Sequence, residues 1–216
     1  MTRAERREQL IEVARGLFAE RGPDGTSVEE IAAHAEVSKP VVYEHFGGKE
    51  GLYAVVVDRE VRVLHDAIRS ALTTRKVGAR RLIELGTLAL LDYIDSCPDG
   101  FVIISRGSSA TSAEGSFATI LSDVAGQVED LLAAEFSKTR FDPGLAPMYA
   151  QMLVGLVALT GQWWLDTRET DPMDKEVVAA HVVNLAWNGM RHLEKAPVFD
   201  RPRPVSIVPD PPEALA

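Results

Sequence analysis

The residues best suited to chemistry lie in one short stretch, Ser38 to Phe46, which reads SKPVVYEHF. Lys39, Tyr43 and His45 fall within seven positions there. An ammonium, a phenol and an imidazole can all donate to phosphate oxygens, and a helix N-terminus adds free N–H groups and a positive dipole end. Lys39 in a first helical turn suits a phosphate or guanine O6/N7. Lys49, opening the next helix, adds a second positive end on the same side. Other chemistries lack their residues. There is no G-x-S-x-G, no H-E-x-x-H and no cysteine pair, and GGKE at 47–50 lacks the upstream glycine and the hydroxyl of a P-loop. No enzymatic activity and no cofactor are expected. His65, His181 and His192 have no Cys or carboxylate at ligand spacing, so no metal is expected. Cys97, the single cysteine, excludes an internal disulfide and is read as inert.

The charge balance opposes a nucleic-acid reading at first sight. The chain carries 32 Asp and Glu against 23 Lys and Arg, a formal net charge of -9. Its first 50 residues hold seven basic residues against ten acidic ones. Phosphate binding rests on basic charge, so the reading requires the acidic residues to lie on faces away from the short helix.

The elements that must position these residues are all helical. Alternating apolar and polar runs are absent, while 3.6-residue periodicity recurs, so the fold class is all-α. A first helix spans about 3–21, with Leu10, Ala14, Leu17 and Phe18 on one face, and RGPDG stops it. Ser27 and Glu30 form a capping box for a second helix whose buried stripe is Val28, Ile31, Ala32 and Ala35. Ser38 is the N-cap of a third helix, with Pro40 in its first turn and Val42 and Phe46 facing inward. Gly47 and Gly48 end it, and a long fourth helix runs over about 49–72. Further helices are expected at about 79–96, 100–109, 115–137, 146–166 and 174–194. The tail from Pro197 holds six prolines in twenty residues and is expected to build neither helix nor sheet. Three small helices with a tight break between the second and third make a helix-turn-helix unit. The division is therefore a helix-turn-helix DNA-binding unit at 1–48, a helical ligand-binding and dimerisation unit at 49–196, and a proline-rich tail at 197–216.

At these residues the chain resembles the TetR family of bacterial repressors. The pattern G-x-x-x-T-[TS]-x-x-x-I-A lies at Gly22 to Ala32, S-x-x-x-[LV]-Y-x-H-F at Ser38 to Phe46, and K-x-x-L at Lys49 to Leu52. Val42 stands where Leu is commoner, and Gly48 directly before Lys49 would loosen that cap. The resemblance implies that Thr26, Ser27, Lys39, Pro40, Tyr43, His45 and Lys49 face DNA, with Ser38 beside them. The segments CPDGF and WWLD are similar to those of actinobacterial members that sense fatty acyl thioesters.

Residues 143–165 contain no charge and have the length of a membrane span. Two prolines, Tyr149, Gln151, Thr160 and Gln162 interrupt the run and no basic flank follows, so no membrane association is expected and the protein is read as cytoplasmic. The last helix is nearly as uncharged. Two such helices have more apolar face than one small body can hide, and a two-fold dimer with a four-helix interface solves this. Gln151, Gly155, Ala158, Gln162, Val182, Leu185, Ala186 and Gly189 are the candidate dimer contacts, and Gly161 is a further point of close approach. Tyr93, Phe101, Ile104, Arg106, Phe117, Leu121, Trp163 and Trp164 are the candidate walls of a ligand site, with Arg106 as anchor for a carboxylate or phosphate head group. The expected function is a homodimeric repressor released from a palindromic double-stranded DNA operator by a small hydrophobic or amphipathic effector. A transcriptional activator, or a helical interaction protein without DNA function, are the alternatives.

Overall fold

The computed structural model describes residues 1–106, 117–139 and 141–198. Those residues form nine α-helices and no strand, with one 3-10 turn at Pro143–Leu145. The helices are α1 (Arg3–Arg21), α2 (Val28–His34), α3 (Lys39–Phe46), α4 (Lys49–Leu72), α5 (Ala79–Ser96), α6 (Pro98–Ser105), α7 (Phe117–Thr139), α8 (Ala146–Thr167) and α9 (Lys175–Arg191). The tail expected over 197–216 lies, from residue 199, outside the described residues, as does most of the Ser-rich segment after Arg106.

Local chemistry explains the boundaries of the first three helices. Thr2 and Glu5 close a capping box on α1, and Ser27 and Glu30 close one on α2. Ser38 occupies the N-cap position of α3 with extended φ and ψ, yet its hydroxyl makes no cap hydrogen bond. Gly47 ends α3 at φ 74° and Gly48 follows at φ 136°. Both values favour glycine, so Gly48 is a backbone requirement of the α3–α4 corner, and as the N-cap of α4 it supplies no side-chain cap.

Two apolar cores are strung along α4. In the first, Leu10, Ile11, Ala14 and Phe18 of α1 pack with Ile31 of α2 and Val42 of α3. Leu52, Tyr53, Val56 and Val57 of α4 and Ile103 of α6 complete it. The core of the head thus runs past residue 48, the expected end of the N-terminal unit. The second core joins Leu64 and Ile68 of α4 to Leu90, Leu91 and Ile94 of α5, Phe101 and Ile104 of α6, Ile120 of α7, Val154 and Trp164 of α8, and Val178 of α9. At the far end of α7, the rings of Phe136, Phe141 and Tyr149 pack tilted or edge-to-face with centroids 4.6–5.9 Å apart.

The α5–α6 joint is tighter than the sequence reading placed it. Cys97 alone separates the two helices, capping the end of α5 and the start of α6. Pro98 takes the first helical position, where its missing N–H costs nothing, so α6 begins two residues before the expected start at 100. It ends at Ser105.

Glu36, between α2 and α3, sits at φ 53°. A non-glycine residue there carries a steric penalty of about 1–2 kcal/mol, partly offset by the greater chain entropy that glycine would lose. Glu36→Gly is expected to stabilise the fold by about 0.5 kcal/mol net, read as a raised midpoint in urea unfolding.

Candidate nucleic-acid interface and ligand cavity

The exposed side of α3 carries Lys39, Pro40, Tyr43 and Glu44. At 100° per residue these four share one flank of the helix, while Val42 and Phe46 turn toward the core. Tyr43 is 47 % exposed and the Lys39 ammonium lies 5.8 Å from its ring centroid. Ser38 is exposed at the cap. Ser27, Tyr43 and Lys49 line a common shallow cleft with Glu29 and Glu50. The fold therefore gathers Ser27, Ser38, Lys39, Pro40, Tyr43 and Lys49 on one side of the head.

Two predicted contacts fall elsewhere. Thr26 is buried, and its hydroxyl donates to the carbonyls of Leu17 at 3.3 Å and Gly22 at 2.9 Å. It fastens the α1–α2 turn, and although it borders the cleft of Ser27, Tyr43 and Lys49 it is only 3 % exposed. His45 is half-buried against Phe46, with ring centroids 6.0 Å apart, on the flank that Val41 occupies. It is two residues on from Tyr43 and so roughly 200° around the helix.

The acidic residues are closer to this face than the sequence reading required. Glu29 of α2 pairs with the Lys39 ammonium, and Glu44 lies 3.8 Å from Arg3. Hydrogen bonding from Lys39 holds the Glu29 carboxyl below the usual carboxylate range and raises the Lys39 ammonium in turn. The Glu30 carboxyl is lowered by the backbone N–H and the hydroxyl of Ser27. Glu29, Glu44 and Arg3 thus belong to this surface although spacing in the sequence did not single them out. The ten-residue separation of Glu29 and Lys39 across two helices carries no periodic signal. Exposed ion pairs contribute little, so a phosphate can displace Glu29 from Lys39.

The body holds a cavity of about 750 Å³, partly open to solvent and walled by α4, α5, α7, α8 and α9. Its lining follows α7 from Phe117 to Lys138, about 30 Å along the helix axis. Leu64, Ile68, Leu82, Leu90, Val124, Leu153 and Val157 are among its aliphatic walls, and Glu135, Lys138, Arg191 and Lys195 are its charged residues. Lys138 is bonded to Glu135 at 2.9 Å. All four lie toward the C-terminal ends of α7 and α9.

Of the predicted walls, Phe117 and Leu121 line this cavity. Tyr93, Phe101, Ile104 and Trp164 do not; they are buried in the packed core. The Trp164 indole N–H donates to the Met173 carbonyl at 2.7 Å. Trp163 is 45 % exposed on the outside of α8. Arg106 is exposed at the end of α6, so the cationic groups of the cavity stand at the other end of α7. The walls are mainly aliphatic, with the rings of Phe117, Phe136, Phe141 and Trp187 among them.

The outer face of α8 is largely apolar and open, and that of α9 mixes apolar residues with exposed His181, Asn184 and Asn188. Met148, Met152, Leu159 and Trp163 form a stripe along α8, and Val177 and Leu185 lie on α9. Gln151, Gly155, Gln162, Leu185 and Gly189 are exposed or half-exposed, and nothing approaches Gly155 or Gly189 within 4 Å of a built Cβ. Ala158, Val182 and Ala186 are buried in the protomer's own core and are not on this face. Gly161 serves an internal contact, since a Cβ there would lie 2.9 Å from Ile94 Cδ1 of α5. Among the described residues, the one helix apolar and long enough to cross a membrane is Pro143–Thr167, with 28 % of its most apolar window buried.

Among the described residues no cluster of three or more His, Cys, Asp and Glu could hold a metal ion. His65 stands 3.9 Å from Asp66 and 4.0 Å from Asp123, a pair of contacts rather than a ligand set.

Two outcomes follow for the body. Thr87 lines the cavity at 2 % exposure, and its hydroxyl has no partner among the described residues. An unsatisfied buried hydroxyl is costly, so Thr87→Val is expected to raise unfolding stability by about 1 kcal/mol, measured in urea. Burial and the neighbouring Glu60 carboxylate push the Cys97 thiol up. Because the thiolate is the nucleophile, Cys97 should react with iodoacetamide far more slowly at pH 8 than an exposed cysteine, accelerating only above the ordinary thiol range. The rate measured across pH in folded protein checks this.

Comparison with known proteins places the chain. Residues 10–56 match the signature of the bacterial regulatory proteins of the tetR family. The chain is 33 % identical over 197 residues to the HTH-type transcriptional activator FasR of Mycolicibacterium smegmatis, covering 89 % of this chain and 86 % of that one. It is 39 % identical over 85 residues to the HTH-type transcriptional repressor Rv3405c of Mycobacterium tuberculosis, covering 35 % and 45 % of the two chains. In structure it is similar to a TetR-like transcriptional regulator from a Rhodococcus species, with a TM-score of 0.69, 22 % identity, and coverage of 89 % of this chain and 100 % of that one. With its helix-turn-helix head, its all-helical body and a relative matched over most of its length, this chain belongs to the TetR family of DNA-binding transcriptional regulators.

Proposed function

We propose that the protein is a homodimeric regulator whose hold on a palindromic operator is released by an elongated, largely apolar effector with an anionic head group. The observation that carries this reading is the cavity: about 750 Å³, mainly aliphatic, and running the length of α7 to Lys138, Arg191 and Lys195. That volume lies in the range of small-molecule sites, and an apolar wall with few polar groups selects a hydrophobic chain and orients its polar end. A fatty acyl thioester has both parts.

The dimer is supported by the apolar outer stripes of α8 and α9. Met152, Leu159, Trp163 and Leu185 are each between 45 % and 73 % exposed, and a contiguous apolar face of this kind marks an interface. A two-fold arrangement of α8 and α9 would hold two α3 helices for successive major grooves, about 34–36 Å apart. Ser38, Lys39, Pro40, Tyr43 and Lys49 are the proposed DNA contacts, with Ser27 beside them. Whether release raises or lowers transcription depends on where the operator sits relative to the promoter. One relative is named an activator and another a repressor.

The test is fluorescence anisotropy on the chain's own upstream intergenic DNA, against competitor DNA and across a salt series. Tight, competitor-resistant binding should weaken steeply with salt. Lys39→Ala should weaken it by roughly tenfold or more, the value of a lost base or phosphate contact. Glu29→Gln, which frees Lys39 and removes a nearby negative charge, should strengthen it. Equal affinity for all sequences and for both variants would support a helical interaction protein instead.

A further inference from the structure

Where the two cores meet, a carboxylate is buried. Glu60 lies on α4 between Val57, the last buried α4 residue of the head core, and Leu64, the first of the body core, with half-buried Val61 beside it packing against both. It is 3 % exposed. Its neighbours come from α1, α5, α6 and the one-residue joint between the last two. The Tyr93 hydroxyl of α5 donates to Oε2 at 2.7 Å, and the Cys97 thiol donates to the same oxygen at 3.4 Å. Arg15 Nη1 of α1 stands 3.5 Å from Oε1, and Arg15 also pairs with Glu12. Gly100, in the first turn of α6, passes directly over the group. A Cβ there would lie 2.3 Å from Glu60 Oε2 and 2.7 Å from both Cys97 Sγ and Tyr93 Oη.

Stability alone does not account for this cluster. Replacing a buried ion pair by well-packed apolar residues is often neutral or stabilising, and the best-attested use of such a pair is to specify one arrangement. Here apolar side chains would merge the two cores into one. The polar cluster instead makes the angle between head and body depend on a few directional bonds. Its two carrier helices also wall the cavity: Leu64 is one turn from Glu60, and Leu90 one turn from Tyr93.

We propose that the Glu60–Tyr93–Arg15 network is the joint through which cavity occupancy sets the position of the DNA-binding head. Closed, it fixes α1 to α4, α5 and α6 in the arrangement that fits DNA. An occupant that displaces Leu64 and Leu90 draws Glu60 from Tyr93 and frees the head to move. Glu60 and Tyr93 are positioning residues and touch neither DNA nor ligand. This inference rests on the cavity being the effector site, as proposed above.

The test uses full-length protein, an operator fragment recovered by selection from random DNA, and palmitoyl-coenzyme A as probe. DNA affinity is measured with and without saturating probe, and probe affinity is measured directly by calorimetry. The ratio of the two DNA dissociation constants is the coupling factor. Tyr93→Phe should bind the probe within about twofold of wild type, yet its coupling factor should fall by roughly fivefold or more, the lower end of ordinary coupling. Glu60→Gln, which keeps an acceptor for Tyr93 but discharges the pair with Arg15, should lower it too. A merely structural role would lower the melting temperature and leave the ratio unchanged. An unchanged coupling factor in both variants overturns the proposal.

A second measurement needs no ligand. In the free protein, amides near Arg15 and Gly100 should exchange hydrogen faster in Tyr93→Phe than in wild type, while those of α7 and α8 keep their rates. If wild type binds no probe, the cavity reading fails and exchange alone judges the network. Unchanged exchange near Arg15 and Gly100 then overturns it.

Discussion

Helix α4 supplies Leu52, Val56 and Val57 to the core of the head and Leu64 and Ile68 to the core of the body, with the buried carboxylate of Glu60 between them. A lone ionised carboxylate out of water would cost several kcal/mol, and the surroundings are arranged around that cost. Arg15 reaches in from α1, Tyr93 points its hydroxyl from α5, and the first turn of α6 carries Gly100, which has no side chain over the oxygen. Cys97 serves as the one-residue joint that brings α6 to this place. The crossing of α1, α4, α5 and α6 is set by the need to satisfy one acceptor.

The negative charge of the chain is compatible with DNA binding because much of it is already committed. Glu29 holds Lys39, Glu30 caps α2 and pairs with Arg21 at 3.0 Å, and Glu8 and Glu12 face Arg59. These exposed pairs are weak and can exchange for phosphate oxygens. The result is a head whose charges largely pair with one another rather than making a broad positive field.

Helix α8 faces two apolar surroundings at once. Val154, Ala158 and Gly161 turn inward, where Val154 and Ala158 line the cavity and Gly161 admits Leu90 and Ile94. Met152, Leu159 and Trp163 turn outward. A helix apolar on every side passes the length and composition test for a membrane span, but one walled by a cavity and bordered by an open apolar stripe needs no lipid to explain its composition.

What the sequence determined by itself was local. Capping boxes, prolines and glycines act within about four residues. The expected spans 3–21, 49–72 and 79–96 therefore coincide with α1, α4 and α5. The head was legible because Ser27, Ser38, Val42 and Gly47 each state a local requirement, and together they space three helices. Tertiary structure decided the rest. Thr26 reads as an exposed hydroxyl beside a cap, but the packing of α1 on α2 buries it. Glu29 and Lys39 meet only because α2 and α3 cross. Tyr93, Phe101, Ile104 and Trp164 fill the core, while Phe117, Phe136, Phe141 and Trp187 line the cavity, because the packing of α4, α5, α7, α8 and α9, and not residue type, decides which rings meet it. Spacing along one helix says which residues share a face, whereas the neighbour that face meets is set by residues tens of positions away.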